Sequence, residues 1–309
     1  MGNYAVAKKM IIGAKKAGVD AVKFQTYIPE EMVFKNSIHF KLIKNTNLTS
    51  EQYKKLKSLS KKLKLDFFST AFDDQSYQLL SKLGVDCLKI ASMDLNNFYM
   101  FDNIKNFTKP LLLSTGMSNL KEIKNSYNFL KKNNKNVFLL HCISNYPTKN
   151  KNSKLGFLKE LKKLSKWKIG FSDHTLGYEA SCAATTLGAK IIEKHFTINN
   201  KIKGADNKDS LNINKMTEFV NKIRETEKMI KTFEDDNFRP DLKQKKNFRR
   251  FFFARKKINK NEKITRENLI CLRSNKRKLL GVDNYLLILK KKTNKVIKKL
   301  EPIQLNDLR

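Results

Sequence analysis

Long apolar runs and a secretory signal are both missing from this sequence. The 309 residues contain no uninterrupted apolar run of about 18, the length at which a membrane-spanning helix is predicted. The N-terminus, MGNYAVAKKMI, has neither the apolar core nor the cleavage site of a signal peptide. Met1-Gly2 opens like a myristoylation signal, but Val6 stands where that signal requires Ser or Thr. We therefore predict a cytoplasmic protein with no membrane partner.

Cysteine is scarce, and its spacing is irregular. The four cysteines, Cys87, Cys142, Cys182 and Cys271, are scattered, and three of them lie in apolar surroundings. Disulfide-stabilised secreted domains instead carry dense sets of cysteines at paired spacings. The pattern predicts reduced, buried thiols in a cytosolic protein.

Acidic residues are few: 29 Asp and Glu stand against 64 Lys and Arg, which gives a formal net charge of +35. Such a charge suggests nucleic acid or an anionic membrane as partner. The lysines, however, spread through nearly every predicted helix and loop, and dense stretches such as 159–168 have the pattern of a solvated helix face. We therefore predict no nucleic-acid partner and an anionic substrate that the charge attracts. A basic nucleic-acid binder is the alternative, and a steeply salt-dependent affinity would reveal it.

Apolar strand patterns alternate with helical patterns along residues 1–233. One leading helix is followed by seven units, each a strand and then a helix. Near-continuous apolar strands in such an alternation predict a parallel sheet covered on both faces. A closed (β/α)8 barrel needs eight strands, and the place for the missing one is before residue 1. We therefore predict an α/β fold: a (β/α)8 TIM barrel that lacks its first strand.

Capping residues predict where several helices begin. Asn3 is the predicted N-cap of a helix over 4–17. Thr49 with Gln52 predicts a capping box, and Ser118 is predicted to cap a helix that ends near residue 132.

The composition changes after residue 233. Residues 234–246, EDDNFRPDLKQKK, are polar, contain a proline and predict a linker. Residues 247–309 show short strand patterns separated by turns, which predict a compact, mostly β domain.

Two apolar strand patterns each end in a histidine, KIGFSDH at His174 and AKIIEKHF at His195. A small-residue helix lies between them, so they form a β-α-β unit with both strand ends at one edge of the sheet. Asp173 and Glu193 lie close by in the sequence, and Asp206 follows in the next loop. Imidazoles among carboxylates indicate a divalent-metal site. Two ordinary strand-end histidines are the alternative.

Lysines and hydroxyl side chains recur at the other predicted strand ends. These residues are Lys23 and Gln25, Ser69 and Thr70, Lys89 and Ser92, Ser114 and Thr115, Ser144 and Tyr146, and Ser172. Singly, each Ser or Thr is more often a helix cap, and Lys23 could extend its amino group to water. Together they indicate a phosphate and carboxylate pocket, because a lysine in an apolar strand is costly to bury without an anion. We therefore predict a small, doubly anionic substrate beside the metal.

Eight segments resemble, in order, those of the sialic acid synthase family, which includes the N-acetylneuraminate, legionaminate and pseudaminate synthases. They are AVKFQTY, FFSTAFD, LKIAS, LLSTGM, LLHCISNYP, GFSDHT, EKHFT and KGADNKDSL. The tail RRFFFARKKINKNEKITRENL resembles that family's antifreeze-like (SAF) domain. The resemblance covers nearly the whole chain.

The resemblance implies condensation of phosphoenolpyruvate with an N-acylated mannosamine-type sugar, which yields a sialic acid-like nonulosonate and phosphate. It implies a divalent metal, usually manganese, with magnesium and cobalt as alternatives, held by His174 and His195. The implied catalytic residues are His174, His195, Lys89 and Asp206. The residues implied to bind phosphoenolpyruvate are Lys23, Thr70, Lys89, Ser92, Ser114, Ser144 and Ser172. Those implied to face the sugar are Gln25, Asp94, Tyr146, Asp206 and Arg273, the last reaching the partner's site in a domain-swapped homodimer.

The sequence departs from the family at three places. The family's first strand carries a Glu and is followed by an Asn-His-x-Gly turn, whereas only Met1–Asn3 correspond to that turn here. Asp94 stands where Glu is common, and Ser274-Asn275 replace a Pro-Gly after Arg273. A misassigned start or a shortened gene would explain the first departure. If the chain begins at Met1, the seam is open, and we expect poor stability and little activity.

Three other functions fit parts of the sequence. A catalytically impaired homologue would keep only the fold and the dimer. A related enzyme would join phosphoenolpyruvate to a phosphorylated aldose on the same barrel, although such enzymes lack the C-terminal domain. The basic nucleic-acid binder is the third.

Overall fold

The structure is a computed structural model. It describes residues 2–44, 46–134, 136–201, 206–230, 244, 248–274 and 279–309. The chain divides into two compact units, Met1–Lys231 and Thr232–Arg309. The predicted linker, apart from Gln244, lies outside the described residues, as do 203–205 of the KGADNKDSL segment and Asn275.

Seven strands form one parallel sheet, in which their order is their order in the chain. The strands are β1 (Ala21–Thr26), β2 (Asp66–Ala71), β3 (Leu88–Ile90), β4 (Leu111–Ser114), β5 (Val137–Cys142), β6 (Ile169–Asp173) and β7 (Ile191–Lys194). The helices are α1 (Tyr4–Lys16), α2 (Pro29–Met32), α3 (Ile38–Ile43), α4 (Ser50–Lys62), α5 (Asp74–Leu83), α6 (Phe98–Asn103), α7 (Leu120–Asn133), α8 (Leu158–Ser165), α9 (Glu179–Thr186) and α10 (Ile213–Met229). The predicted α/β fold, with one leading helix and seven strand-then-helix units, is confirmed.

The sheet curls until side chains of its first and last strands meet. Lys23 on β1 lies 3.5 Å from Glu193 on β7, Nζ to Oε1, although five strands separate β1 from β7 in the sheet. Outside the sheet, Arg224 of α10 donates to Asp20, which precedes β1, over 2.5 Å. A Cβ added to Gly13 of α1 would lie 3.1 Å from Ile213 of α10, so glycine permits this close approach. A curled parallel sheet of this kind is consistent with part of a TIM barrel.

The main hydrophobic core lies between the sheet and its helices. Side chains such as Phe67, Leu88, Leu113, Leu139 and Ile169 are almost fully buried, and they come from five successive strands. Each such side chain contributes roughly 1.5–3 kcal/mol of burial free energy. The strands read as continuous apolar runs because helices cover the outer face while the curl closes over the inner one.

Helix starts follow the capping residues, with one correction. Asn3 accepts from the Val6 amide over 3.0 Å, and Thr49 forms the predicted capping box with Gln52. The prediction that Ser118 caps α7 is wrong by one residue. Asn119 is the N-cap and forms a capping box with Glu122 at the third helical position. Asn is as good an N-cap as Ser, and only from Asn119 is the acidic partner at the required spacing.

The second unit is small and has a core of its own. Strand β8 (Arg250–Ala254) pairs antiparallel with β9 (Leu269–Arg273), and one short helix, α11 (Tyr285–Ile288), follows. Isolated antiparallel bridges, such as Ile258 to Ile297, connect the remaining segments. Across both units, no helix of the described residues is long and apolar enough to span a membrane.

Candidate active site at the carboxyl ends of the strands

The two predicted histidines lie together. His174 directly follows β6, His195 directly follows β7, and their ring centroids are 5.4 Å apart. The Nδ1 of His174 is 2.7 Å from the carbonyl oxygen of Ile143. Because a carbonyl can only accept, Nδ1 carries the proton and Nε2 keeps its lone pair. The Nδ1 of His195 is 3.6 Å from Oδ2 of Asp206, so both rings can present Nε2.

The histidine pair is suited to a divalent cation, although it supplies only two ligands. Burial lowers the pKa of His174, and it lowers that of His195 to about 4, so both rings are neutral at pH 7, as metal binding requires. Among the described residues, no group of three or more His, Cys, Asp or Glu side chains could hold a metal ion. An ion here would therefore keep water or substrate oxygens as its other ligands. The metal-binding role of the pair stays a prediction.

Asp173, predicted to lie near the imidazoles, is engaged in a buried ion pair. Its Oδ2 is 3.0 Å from Nζ of Lys194, with side chains 0% and 3% exposed. The carboxylate also accepts from the Thr175 amide and the Ser181 hydroxyl, at 2.8 and 2.6 Å. The Lys194 ammonium donates to the carbonyl of Gly177 over 3.1 Å. These bonds fix the loop that follows His174.

Glu193 is the centre of a second buried cluster, which holds two cations. Its Oε1 accepts from the Lys89 ammonium and, over 2.9 Å, from the Ser172 hydroxyl. Burial would raise the pKa of Glu193, but the ammonium groups of Lys23 and Lys89 outweigh burial and hold it well below its usual range. Burial lowers the pKa of Lys23 to about 8, although Glu193 opposes the change. The net positive charge of this cluster favours an anionic ligand.

Sequence reasoning did not identify Glu193 as the common partner of the two lysines. The available signal was an acidic residue directly after the apolar pair Ile191-Ile192, where an unpaired charge would be costly. The partners, however, come from β1 and β3, and the contact depends on how far the sheet curls.

Hydroxyl groups converge around Gly116, which follows β4. The Gly116 amide donates to Ser92 over 3.0 Å, and Ser92 Oγ lies 3.2 Å from the sulfur of Cys142. A Cβ added to Gly116 would lie 2.6 Å from Ser144 Oγ, so only glycine fits here. Ser114 Oγ is buried without a hydrogen-bond partner among the described residues. An unsatisfied buried hydroxyl is costly, so this group is available to a ligand. Gly116 was also missed as a site residue, although a glycine at a strand end was a signal.

The remaining predicted residues of the first unit lie along the same edge. In the sheet register, Thr70 on β2 is paired with Gln25 on one side and with Lys89 on the other; Thr70 is buried and Gln25 is exposed. Asp94 is buried after β3, its Oδ2 has no partner among the described residues, and burial raises its pKa. The ring of Tyr146 lies 4.1 Å from that of His174, centroid to centroid.

Asp206, Arg273 and His141 have different surroundings. Asp206 is half exposed beside His195. Arg273 lies in the second unit, on β9, with its guanidinium 5.1 Å from the ring centroid of Phe248. His141, at the end of β5, is a core residue, because its Nε2 bonds the carbonyl of Ser153 over 2.7 Å and its ring stacks on Phe171.

Known proteins resemble this chain over most of its length. Over 291 aligned residues, the chain is 32% identical to the N,N'-diacetyllegionaminic acid synthase of Legionella pneumophila, covering 88% of this chain and 82% of that one. It is 30% identical over 320 residues to the pseudaminic acid synthase of Helicobacter pylori, covering 98% and 93%. The crystal structure of an N-acetylneuraminic acid synthetase from Leptospira borgpetersenii is similar, with a TM-score of 0.72, 31% identity and coverage of 79% and 85%. Residues 10–235 match the NeuB family. The chain therefore belongs to the NeuB family.

Proposed function

We propose that this protein condenses phosphoenolpyruvate with an N-acylated mannosamine-type sugar, giving a sialic acid-like nonulosonate and phosphate. One observation carries the proposal: Lys23 and Lys89 share a single carboxylate, Glu193, at the sheet edge that also bears the two imidazoles. The relatives named as legionaminic and pseudaminic acid synthases support this reaction class.

The proposed fold is a (β/α)8-type barrel, followed by an SAF domain over 247–309. The seven strands in chain order support the barrel, and the tail that begins at Arg249-Arg250 supports the SAF domain. In the proposed homodimer, Arg273 of each chain reaches the partner's sugar site. The departure at Ser274 and Asn275 concerns the loop that would carry this contact.

Phosphoenolpyruvate carries a phosphate and a carboxylate, and the site offers donors for both. Glu193 holds the ammonium groups of Lys23 and Lys89 close together. Both groups can also donate hydrogen bonds to a phosphate, which carries more negative charge than one carboxylate. The hydroxyls that line this edge add neutral donors. They are those of Thr70, Ser92, Ser114, Ser144 and Ser172.

The acceptor sugar binds beside the imidazoles in the proposed arrangement. The ring of Tyr146 packs beside His174 and can contact the sugar. The Oδ2 of Asp94, which has no partner among the described residues, can accept from a sugar hydroxyl or amide. Asp206, half exposed beside His195, faces the same region. A divalent ion such as manganese, bound by the two Nε2 atoms, would polarise the sugar's aldehyde oxygen as a Lewis acid.

The reaction balances without a redox partner. C3 of phosphoenolpyruvate forms a bond to the aldehyde carbon, water adds at C2, and phosphate leaves when its C–O bond breaks. The lysines hold the phosphate through that cleavage, since its charge increases as it departs. Gln25 and Asp94 orient the sugar so that the aldehyde carbon meets C3.

A coupled assay for released phosphate tests this function. The purified protein receives phosphoenolpyruvate, manganese and, in turn, the mannosamine-type precursors of neuraminate, legionaminate and pseudaminate. We expect release with at least one sugar, only when both substrates are present and only with the metal. No release with any of the three would contradict the proposal.

A non-catalytic homologue is the second candidate. It is favoured by the sheet order, in which β1 and β7 are both end strands among the described residues, since a seam at that point loosens the site. Binding of phosphoenolpyruvate without turnover would support it.

A further inference from the structure

Arginine has an uneven distribution in this chain. Only nine of the 64 basic residues are arginine, and none occurs before Arg224. Everywhere else the sequence uses lysine as its cation. Because a guanidinium is a rigid fork that binds phosphate or carboxylate with two parallel hydrogen bonds, whereas an ammonium is a point charge, the arginines mark places where the fork is needed.

Three of the nine arginines line one cavity of about 460 Å³ in the second unit: Arg250, Arg255 and Arg266. Its apolar wall includes Phe252, Leu269 and Tyr285. The volume falls within the roughly 300–1,000 Å³ range of small-molecule sites. The cavity therefore combines a cationic rim with a surface against which a flat apolar group can pack.

The arginines of this cavity lack ion-pair partners among the described residues, although Glu267 lies close enough to Arg266 for a weaker electrostatic attraction. Within the described residues, none of its three arginines forms an ion pair with a carboxylate, whereas Arg224 pairs with both Asp20 and Glu227. Arg250 on β8 is directly opposite Arg273 on β9, and like charges at opposed positions destabilise a strand pair. A bound anion would remove this repulsion.

One of the arginines is held by a hydrogen bond to the backbone. The Nε of Arg255 donates to the carbonyl of Leu269 over 3.1 Å, and its terminal nitrogens have no hydrogen-bond partner among the described residues. Arg266 begins a short turn whose capping residue is Thr265. The ring of Tyr285 packs against the buried ring of Phe252, with centroids 6.2 Å apart, and forms the aromatic wall.

We infer that this cavity binds a small organic phosphate that carries a ring, of the class of the nucleoside diphosphates. The guanidinium groups take the phosphate oxygens, and the aromatic wall takes the ring. The walls belong entirely to the second unit, whereas the lysines and imidazoles proposed for catalysis belong to the first. None of the residues proposed for the synthase site, Arg273 included, lines the cavity, so the inference does not depend on the proposed reaction.

Calorimetric titration of the full-length protein with ADP, without divalent metal, tests this inference. We expect saturable one-to-one binding, weaker binding of pyrophosphate, which lacks the ring, and no binding of adenosine, which lacks the charge. Arg266→Lys and Arg250→Lys, which keep the charge and remove the fork, should each weaken ADP binding about tenfold, the loss of one charge-assisted hydrogen bond. Arg309→Lys, in the same unit but outside the cavity, should leave affinity unchanged.

Three results would overturn the inference. Unchanged ADP affinity in both cavity variants, with thermal unfolding as in the parent protein, would show that the guanidinium groups do not bind the phosphate. Competition by saturating phosphoenolpyruvate would assign ADP to the lysines of the first unit. Displacement of ADP by a single-stranded oligonucleotide that binds the variants equally, with a steep salt dependence, would indicate non-specific nucleic-acid binding.

Discussion

Strand β7 carries two adjacent charged residues, Glu193 and Lys194, which differ in how many opposite charges they meet. Lys194 meets one carboxylate, Asp173, and every charge in that cluster is matched. Glu193 meets two ammonium groups, from Lys23 and Lys89, and its Oε2 is left without a partner among the described residues. Equal numbers of buried positive and negative charges are typical of a structural ion pair. An excess of one buried charge is typical of a ligand-binding site.

The largest effect is expected in the balanced cluster. Lys194→Met should lower the free energy of unfolding by about 3–5 kcal/mol, because it leaves the Asp173 carboxylate buried and unpaired. Denaturant unfolding measures this loss. Adding Asp173→Asn should recover part of it, since the double variant has no buried charge at this point. A loss below about 1 kcal/mol would mean that the pair is worth no more than one on the surface.

In the cluster around Glu193, replacing a lysine by methionine should lower activity rather than stability. Lys89→Met should reduce kcat/KM for phosphoenolpyruvate by about 100-fold, the loss of one or two charge-assisted hydrogen bonds. The free energy of unfolding should change by less than about 1 kcal/mol, because Glu193 keeps Lys23 and Ser172 as partners. A large loss of stability with an unchanged kcat/KM would contradict this expectation.

The pKa of Lys23 predicts a pH dependence with a definite sign. Burial lowers this pKa to about 8 in the folded protein, against 10.5 for the unfolded chain. Between these values the unfolded chain binds more protons, so the contribution of Lys23 to stability rises with pH, by at most about 1.4 kcal/mol per unit. Phosphoenolpyruvate affinity should fall over the same range. The difference between the parent protein and Lys23→Met isolates both trends; parallel curves would contradict them.

The smallest effect concerns an unsatisfied hydroxyl. Ser114→Ala should raise the free energy of unfolding by about 1 kcal/mol, because a buried group without a partner is removed. The KM for phosphoenolpyruvate should rise about fivefold, through loss of a neutral hydrogen bond. Ser126→Ala is the matched control, since Ser126 is also buried without a partner in the described part of the chain but lies on α7. It should gain stability with no change in KM; equal KM values in both variants would remove Ser114 from the site.

The sequence predicted those features that depend on local pattern. The strand–helix order and the proximity of His174 and His195 both follow from the β-α-β rule and from apolar runs. The Ser118 cap was wrong because two good capping residues are adjacent, and the acidic partner decides between them. The roles of Glu193 and Gly116 were missed for a different reason. The contacts of Glu193 join β7 to β1 and β3, which only the curl of the sheet brings together. The contacts of Gly116 are with the ends of the neighbouring strands β3 and β5, and they depend on the path of the loops there.

The opposite charges of Glu193 and Lys194 also have a consequence for strand alignment. Side chains alternate along a strand, so a slip of β7 by one residue would exchange the two. Lys194 would then face Lys23 and Lys89, and Glu193 would face Asp173, so like charges would be buried together on both sides. Among the described residues, β7 pairs along its length with β6 alone, so fewer backbone hydrogen bonds fix its alignment. The order of Glu193 and Lys194 therefore disfavours a misaligned β7.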